Sequence, residues 1–370
     1  MSARAETAGK PGHFDALTGI RGVAAWLVVF YHIRATLTGI VPEGVIAVFA
    51  RGYLAVDLFF VLSGFVMWYN YAGRLADGRG LAVRDFFWRR FARIWPLHAA
   101  ILLAFVGFAV LLLATGRPVE GMPFAELPLH VLLIQNWGFT SALTWNDPAW
   151  SISTETGAYL VFPLLVLGLS RRPSGLAVPV IAALALLAAI AGLFALTGHA
   201  SLGADIPRLG LARCVLEFSL GTVCCILWQG LGEKRGAARL IGLAALAILC
   251  AGLGFALPEP LFVPAFFAAL VLWLALGAGA AGRLLSASAL VYLGEISYAT
   301  YLAHVLLFRL FKIAFVDDTL QLGWAGIAGF VLALAVVSAA LYHGLEKPAQ
   351  RWLLRHRRWP RAQPAATPAE

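Results

Sequence analysis

Charge is scarce in this sequence. Of its 370 residues, only 13% are Asp, Glu, Lys or Arg, whereas 61% are hydrophobic. So little polar surface cannot cover a soluble domain of this length, so most of the chain is read as lying in lipid. Cysteine is also rare. Cys214, Cys224, Cys225 and Cys250 all sit in apolar stretches without CxxC spacing, so they are read as small buried hydrophobes, and no metal site is expected. The polar leader "MSARAETAGKPGHFDA" lacks a small-residue cleavage site, so the apolar segment after it is read as a retained span. The inverted repeat that marks many transporters is missing too. The net charge is +9, but the basic residues lie in short runs between apolar spans and leave no basic face for a nucleic acid.

The sequence does contain long apolar runs. A span needs roughly 20 such residues, and candidates fall at about 16–37, 53–72, 94–114, 154–170, 175–197, 208–228, 239–256, 260–279, 288–312 and 322–344. The fold class expected is therefore all-α, a polytopic membrane bundle of about ten transmembrane helices. A shorter piece, "FAELPLHVLLIQNW" (124–137), contains Pro128 and His130 and is expected to be re-entrant or interfacial. If both termini are cytoplasmic, only Arg34, Arg51, Arg117, Arg208, Arg213, Arg309 and Lys312 face outward among the 28 basic residues, as the positive-inside bias requires. The chain divides into a leader (1–15), a membrane domain (16–348) and a basic tail (349–370). In that tail "RWLLRHRR" would sit against anionic lipid.

Ionisable residues inside spans are expensive and mark function. Arg21 and His32 are eleven residues apart, which on a helix is about 20° in azimuth and about 16 Å in height. In an antiparallel hairpin Asp57 would lie level with His32, where a carboxylate would orient the imidazole and raise its basicity. Arg90 and Arg93, in "RDFFWRRFARIWPL", share a helix face and could clamp a phosphate. Alternatively, they are ordinary anchors beside an aromatic belt. In "WSISTETGAYLVFP" (150–163), Glu155 and Tyr159 share a face and Trp150 lies at the rim, a set that suits a hydroxyl-rich acceptor such as a sugar. Glu155 could instead complement the positive end of its helix. "GEISYATYLAHVLLF" (294–308) puts Ser297, Tyr301 and His304 on one stripe, with His304 near the depth of His32. Arg213 and Glu217, four residues apart, are read as a structural ion pair.

From Asp15 to Pro348 the sequence resembles the membrane acyltransferase-3 family. The likeness rests on motifs in order: "LTGIRGVAAWLVVFYH" with its Arg-x10-His spacing, "VDLFFVLSGF", "RRFARIWP", "WSISTETGAYLVFP", "GEISYATYLAH" and "LEKP" (345–348). The resemblance implies transfer of an acyl group, commonly acetyl, from cytoplasmic acyl-CoA to a hydroxyl of an extracytoplasmic carbohydrate. It implies His32 as the catalytic histidine with Arg21 beside it, and Arg90 and Arg93 in CoA handling. Glu155 takes the acidic position and His304 is the late histidine. The family's second acidic or amide residue is missing here, where Thr156 and Gly157 follow Glu155. Acyl-CoA is expected as co-substrate, with no tightly bound cofactor. The expected partners are the acceptor, the lipid bilayer and polysaccharide biosynthesis or export machinery, and the expected location is the bacterial cytoplasmic (inner) membrane. No appended soluble domain is expected after the last span. The alternative is a transporter that uses the intramembrane His, Asp and Arg as a gate.

Overall fold

The computed structural model describes residues 14–76, 80–169, 175–232, 236–315 and 323–357. The leader before residue 14, the loop residues Arg79, Arg171, Arg172, Lys234 and Arg235, and the tail from residue 358 lie outside the described residues. Among the described residues the only regular elements are helices. In chain order they are α1 (Asp15–Ile33), α2 (Glu43–Ala50), α3 (Ala55–Ala76), α4 (Gly80–Ala114), α5 (Leu127–Leu132), α6 (Ala149–Leu169), α7 (Ala177–Leu196), α8 (Ile206–Leu231), α9 (Ala237–Gly254), α10 (Glu259–Ala275), α11 (Gly279–Leu285), α12 (Ser288–Glu295), α13 (Ser297–Phe315), α14 (Trp324–Leu341) and α15 (Lys347–Arg355). Nine helical stretches are long and apolar enough to cross a membrane, and α10 with α11, bent by 87°, makes a tenth. The protein is a polytopic helical bundle, as expected.

The boundaries differ from the hydropathy reading in two places. Helix α4 has 35 residues, about 52 Å against a hydrocarbon core of about 30 Å. Its first turns carry Arg84, Arg89, Arg90 and Arg93, and that charge concealed the helix from a search for apolar runs. The expected span 288–312 is broken at Ile296, where Ser297 Oγ donates to the Gly294 carbonyl at 2.8 Å and starts α13 on a new axis.

The segment 124–137 is re-entrant. Helix α5 docks on α4 at Trp95 and His98, and Trp95 lies about 28 Å along the axis from the α4 end at Ala114. Inside a bilayer its last carbonyls need partners, and those of Leu129, His130, Val131 and the capping Leu133 find one. Ile134 N–H donates to Leu129 O, His98 Nε2 to His130 O, Trp95 Nε1 to Val131 O, and the Thr156 hydroxyl to Leu133 O. Leu133 ends the helix in the left-handed region at φ 58°. The Thr144 hydroxyl donates to Glu126, so it must accept from His130 Nε2.

Helices α1, α3, α6, α8 and α13 form the buried centre, whereas α9 buries only Ala245 and Gly252. Helices α3 and α8 touch backbone to backbone. A Cβ on Gly64 would lie 1.9 Å from the Phe218 carbonyl oxygen, and one on Gly221 would lie 1.9 Å from the Val61 oxygen. Small residues permit such close packing in membranes. Gly64→Ala should therefore cost about 1–3 kcal/mol, seen as a lowered thermal midpoint in detergent. Gly107→Ala, with nothing within 4 Å of the added carbon, should leave the midpoint unchanged or raise it.

Candidate active site

Five helices enclose a cavity of about 180 Å³. Helix α1 contributes Arg21, α4 contributes Arg90 and Arg93, and α6 contributes Glu155 and Tyr159. Ser63 of α3 and Tyr298 of α13 complete its polar lining, with Tyr301 at one end beside Phe59. The i, i+3 spacing of Arg90 and Arg93 does place both on one face, and Arg21 joins them from across the bundle.

The three guanidinium groups are held differently. Arg93 bonds to Glu346 and lies over the Tyr298 ring at 5.6 Å. Glu346 reaches it from the single π turn Tyr342–Glu346 that joins α14 to α15, a feature found mostly at functional sites. Arg90 donates to the Tyr71 hydroxyl at 2.7 Å, while its Nε is buried without a partner. Arg21 makes no hydrogen bond or ion pair among the described residues, although it feels the charges of Glu155 and Arg90. Glu155 accepts from the Ser63 hydroxyl and, at 2.6 Å, from the Tyr159 hydroxyl. Three guanidinium groups thus face two carboxylates, and donors remain open. Such a cavity accepts an anion.

Further along α1, His32 pairs with His304 rather than with a carboxylate. His32 Nδ1 lies 2.9 Å from the Val28 carbonyl and 3.2 Å from His304 Nε2, and His304 Nδ1 lies 2.8 Å from the Tyr301 carbonyl. Carbonyls only accept, so both Nδ1 atoms carry hydrogen. His304 Nε2 is then an acceptor facing the His32 N–H. His32 Nε2 has no hydrogen-bond partner among the described residues, and in the neutral ring it carries the lone pair that a general base requires.

The cavity and the imidazole pair are separate. Neither histidine lines the cavity. Tyr301 does, and its ring is 6.0 Å from Phe59 and 6.1 Å from His304, centre to centre. Its hydroxyl is held by Ser151 at 2.7 Å. One layer of side chain divides the guanidinium cluster from the histidines.

Asp57 does not meet His32. It is fully buried against Arg213, with its Oδ1 2.7 Å from Nε and 2.6 Å from a terminal nitrogen. Arg213 also donates to the Leu202 carbonyl at 2.6 Å, while Glu217 stands 3.9 Å away. The expected pairing with His32 fails because Asp57 faces α8. The glycine contact turns α3 toward α8, and a guanidinium binds a carboxylate more strongly than an imidazole does. Arg213 thereby takes Asp57 as its main partner, with Glu217 further off. The residues assigned to an acceptor also part company. Trp150 is buried between Phe60 and Arg213 rather than standing at a rim, Glu155 and Tyr159 belong to the arginine cavity, and His304 belongs to His32. Sequence reading missed Ser63 and Tyr298 as cavity residues, and Tyr71 and Glu346 as partners of its arginines. Ser63 and Glu346 stand inside the motifs "VDLFFVLSGF" and "LEKP", the only signal that pointed to them.

Removing one partner of a buried pair leaves an uncompensated charge at a cost of about 3–5 kcal/mol. Asp57→Ala should therefore lower the thermal midpoint sharply, and adding Arg213→Met should recover part of the loss. A catalytic Asp57 would instead give a stable, inactive protein.

Residues 14–343 match the family model described as an acyltransferase domain, acyltransferase 3. Acyltransferase MdmB of Streptomyces mycarofaciens is 30% identical over 372 residues, covering 92% of this chain and 93% of its own length. Protein 2 in the picA locus of Rhizobium radiobacter is 33% identical over 164 residues, 39% of this chain and 78% of that protein. A Staphylococcus aureus (strain COL) protein whose name proposes an O-acetyltransferase is 25% identical over 170 residues, 43% of this chain but only 26% of that one. No solved structure matches. With its guanidinium cavity, its imidazole pair and a match across most of its length, this chain belongs to the acyltransferase-3 family of membrane acyltransferases.

Proposed function

We propose that the protein moves an acyl group, most simply acetyl, from cytoplasmic acyl-CoA to a hydroxyl of an extracytoplasmic carbohydrate, in a bacterial inner membrane with both termini inside. The observation that carries this reading is the bare Nε2 of His32 one side-chain layer from a cavity holding three arginines. Acyl-CoA is the co-substrate whose phosphates Arg21, Arg90 and Arg93 would neutralise, Arg21 having no competing partner.

His32 takes the proton of the acceptor hydroxyl as that oxygen attacks the thioester carbonyl. The tetrahedral intermediate collapses by breaking the C–S bond, and the imidazolium returns the proton to the departing thiolate. The products are an O-acyl ester and free CoA thiol. His304, in the place expected for Asp57, is the positioning partner. Its Nε2 receives the His32 N–H, an interaction that strengthens once His32 is charged. Both ring nitrogens of His304 are then engaged, so it has no donor left for the oxyanion. Tyr301 must move for the thioester to pass. Glu155 and Tyr159 are assigned to the polar end of the acceptor or donor path, and Trp150 packs behind them against Arg213.

Free-thiol release by purified protein in lipid, given acetyl-CoA and candidate glycans, tests the reading. General base catalysis contributes about 100- to 10,000-fold, so His32→Ala should lose that much turnover while still binding CoA. Unchanged turnover in that variant would overturn the proposal. Arg90→Gln and Arg93→Gln each remove a charge-assisted contact of about 1.5–3 kcal/mol. Each should raise KM for acyl-CoA roughly tenfold or more, with a smaller change in kcat.

A further inference from the structure

On the bilayer side of Arg90 lies a second cavity of about 410 Å³, between α4, α5 and α6. It shares Arg90, Ile94 and Tyr159 with the arginine cavity, and those side chains form the wall between the two. Its outer rim is open to lipid, with Leu132 64% and Leu160 53% exposed. Its polar atoms are turned away. Trp95 Nε1 is held by Val131 O, Trp137 Nε1 by Ser153 O at 2.8 Å, and the Thr156 hydroxyl by backbone carbonyls. The lining is mostly carbon, with one cation, Arg90, whose buried Nε lacks a partner.

We propose that this groove binds one hydrocarbon chain of an anionic membrane lipid, with the lipid's phosphate against Arg90. Carbon alone gives a bilayer lipid little reason to settle here, because surrounding tails are as apolar as leucine. The discriminating contact is therefore the charge pair, which is stronger where water is sparse. Because Arg90 serves both cavities, the lipid phosphate and an anion in the arginine cavity should compete for it. The site does not depend on the acyl-transfer reading.

The test uses the full-length protein in uncharged detergent, titrated with oleoyl lysophosphatidate, with monooleoylglycerol of the same chain, or with inorganic phosphate, and read by native mass spectrometry. Lysophosphatidate is expected to bind saturably and at least tenfold more tightly than the glyceride. Leu160→Trp, which fills the exposed rim, should weaken that binding about tenfold, and Arg90→Gln should abolish the preference for phosphate. Equal binding of the two lipids would overturn the proposal. So would undiminished binding in Leu160→Trp, a result that stands even if Arg90→Gln does not fold. Inorganic phosphate binding as tightly as lysophosphatidate would assign the anion to the arginine cavity alone and refute a role for the groove.

Discussion

A charge inside a lipid-embedded bundle costs several kcal/mol unless another charge or a set of hydrogen bonds meets it. The interior of this protein is arranged around that constraint. Asp57 and Arg213 satisfy each other at 2.7 Å, and Glu346 satisfies Arg93. Glu155 is met by two hydroxyl groups. The two imidazoles face each other, and each places its Nδ1 against a backbone carbonyl. Among the described arginines that line the cavity, Arg21 and part of Arg90 are left over, a surplus of positive charge suited to an anion.

Much of this was legible in the sequence because it is local. Ten apolar runs became ten spans, and the pairs read along a single helix held: Arg90 with Arg93 on one face, and Ser297, Tyr301 and His304 on one stripe. Partners across helices were not legible. Asp57 was matched to His32 by height, but its azimuth depends on Gly64 meeting Phe218 on a helix more than 150 residues later. Glu346 reaches Arg93 through a π turn, an insertion in helical phase that no periodicity announces. The first turns of α4 escaped for the opposite reason: they are helical but charged, so hydropathy passed over them.

The family assignment and the geometry address different levels. The match over residues 14–343 identifies a membrane acyltransferase, while the side chains divide the labour within it. In the proposed function, binding chemistry falls to the guanidinium cluster and proton-accepting chemistry to the imidazole pair. Tyr301, held by Ser151, stands between them. Under the proposed function, that ring would keep a thioester donor from the acceptor until it moves.

The return of residues 115–148 toward the middle of the membrane also orders the assembly of the molecule. These residues leave the bilayer at the end of α4, and the carbonyls of α5 are satisfied by Trp95 and His98 behind them and by Thr156 ahead of them. None of those side chains is in place for docking until both flanking spans have been inserted. During biogenesis the stretch therefore waits in water and folds back last, sealing one flank of the reaction chamber only when the helices on either side already stand.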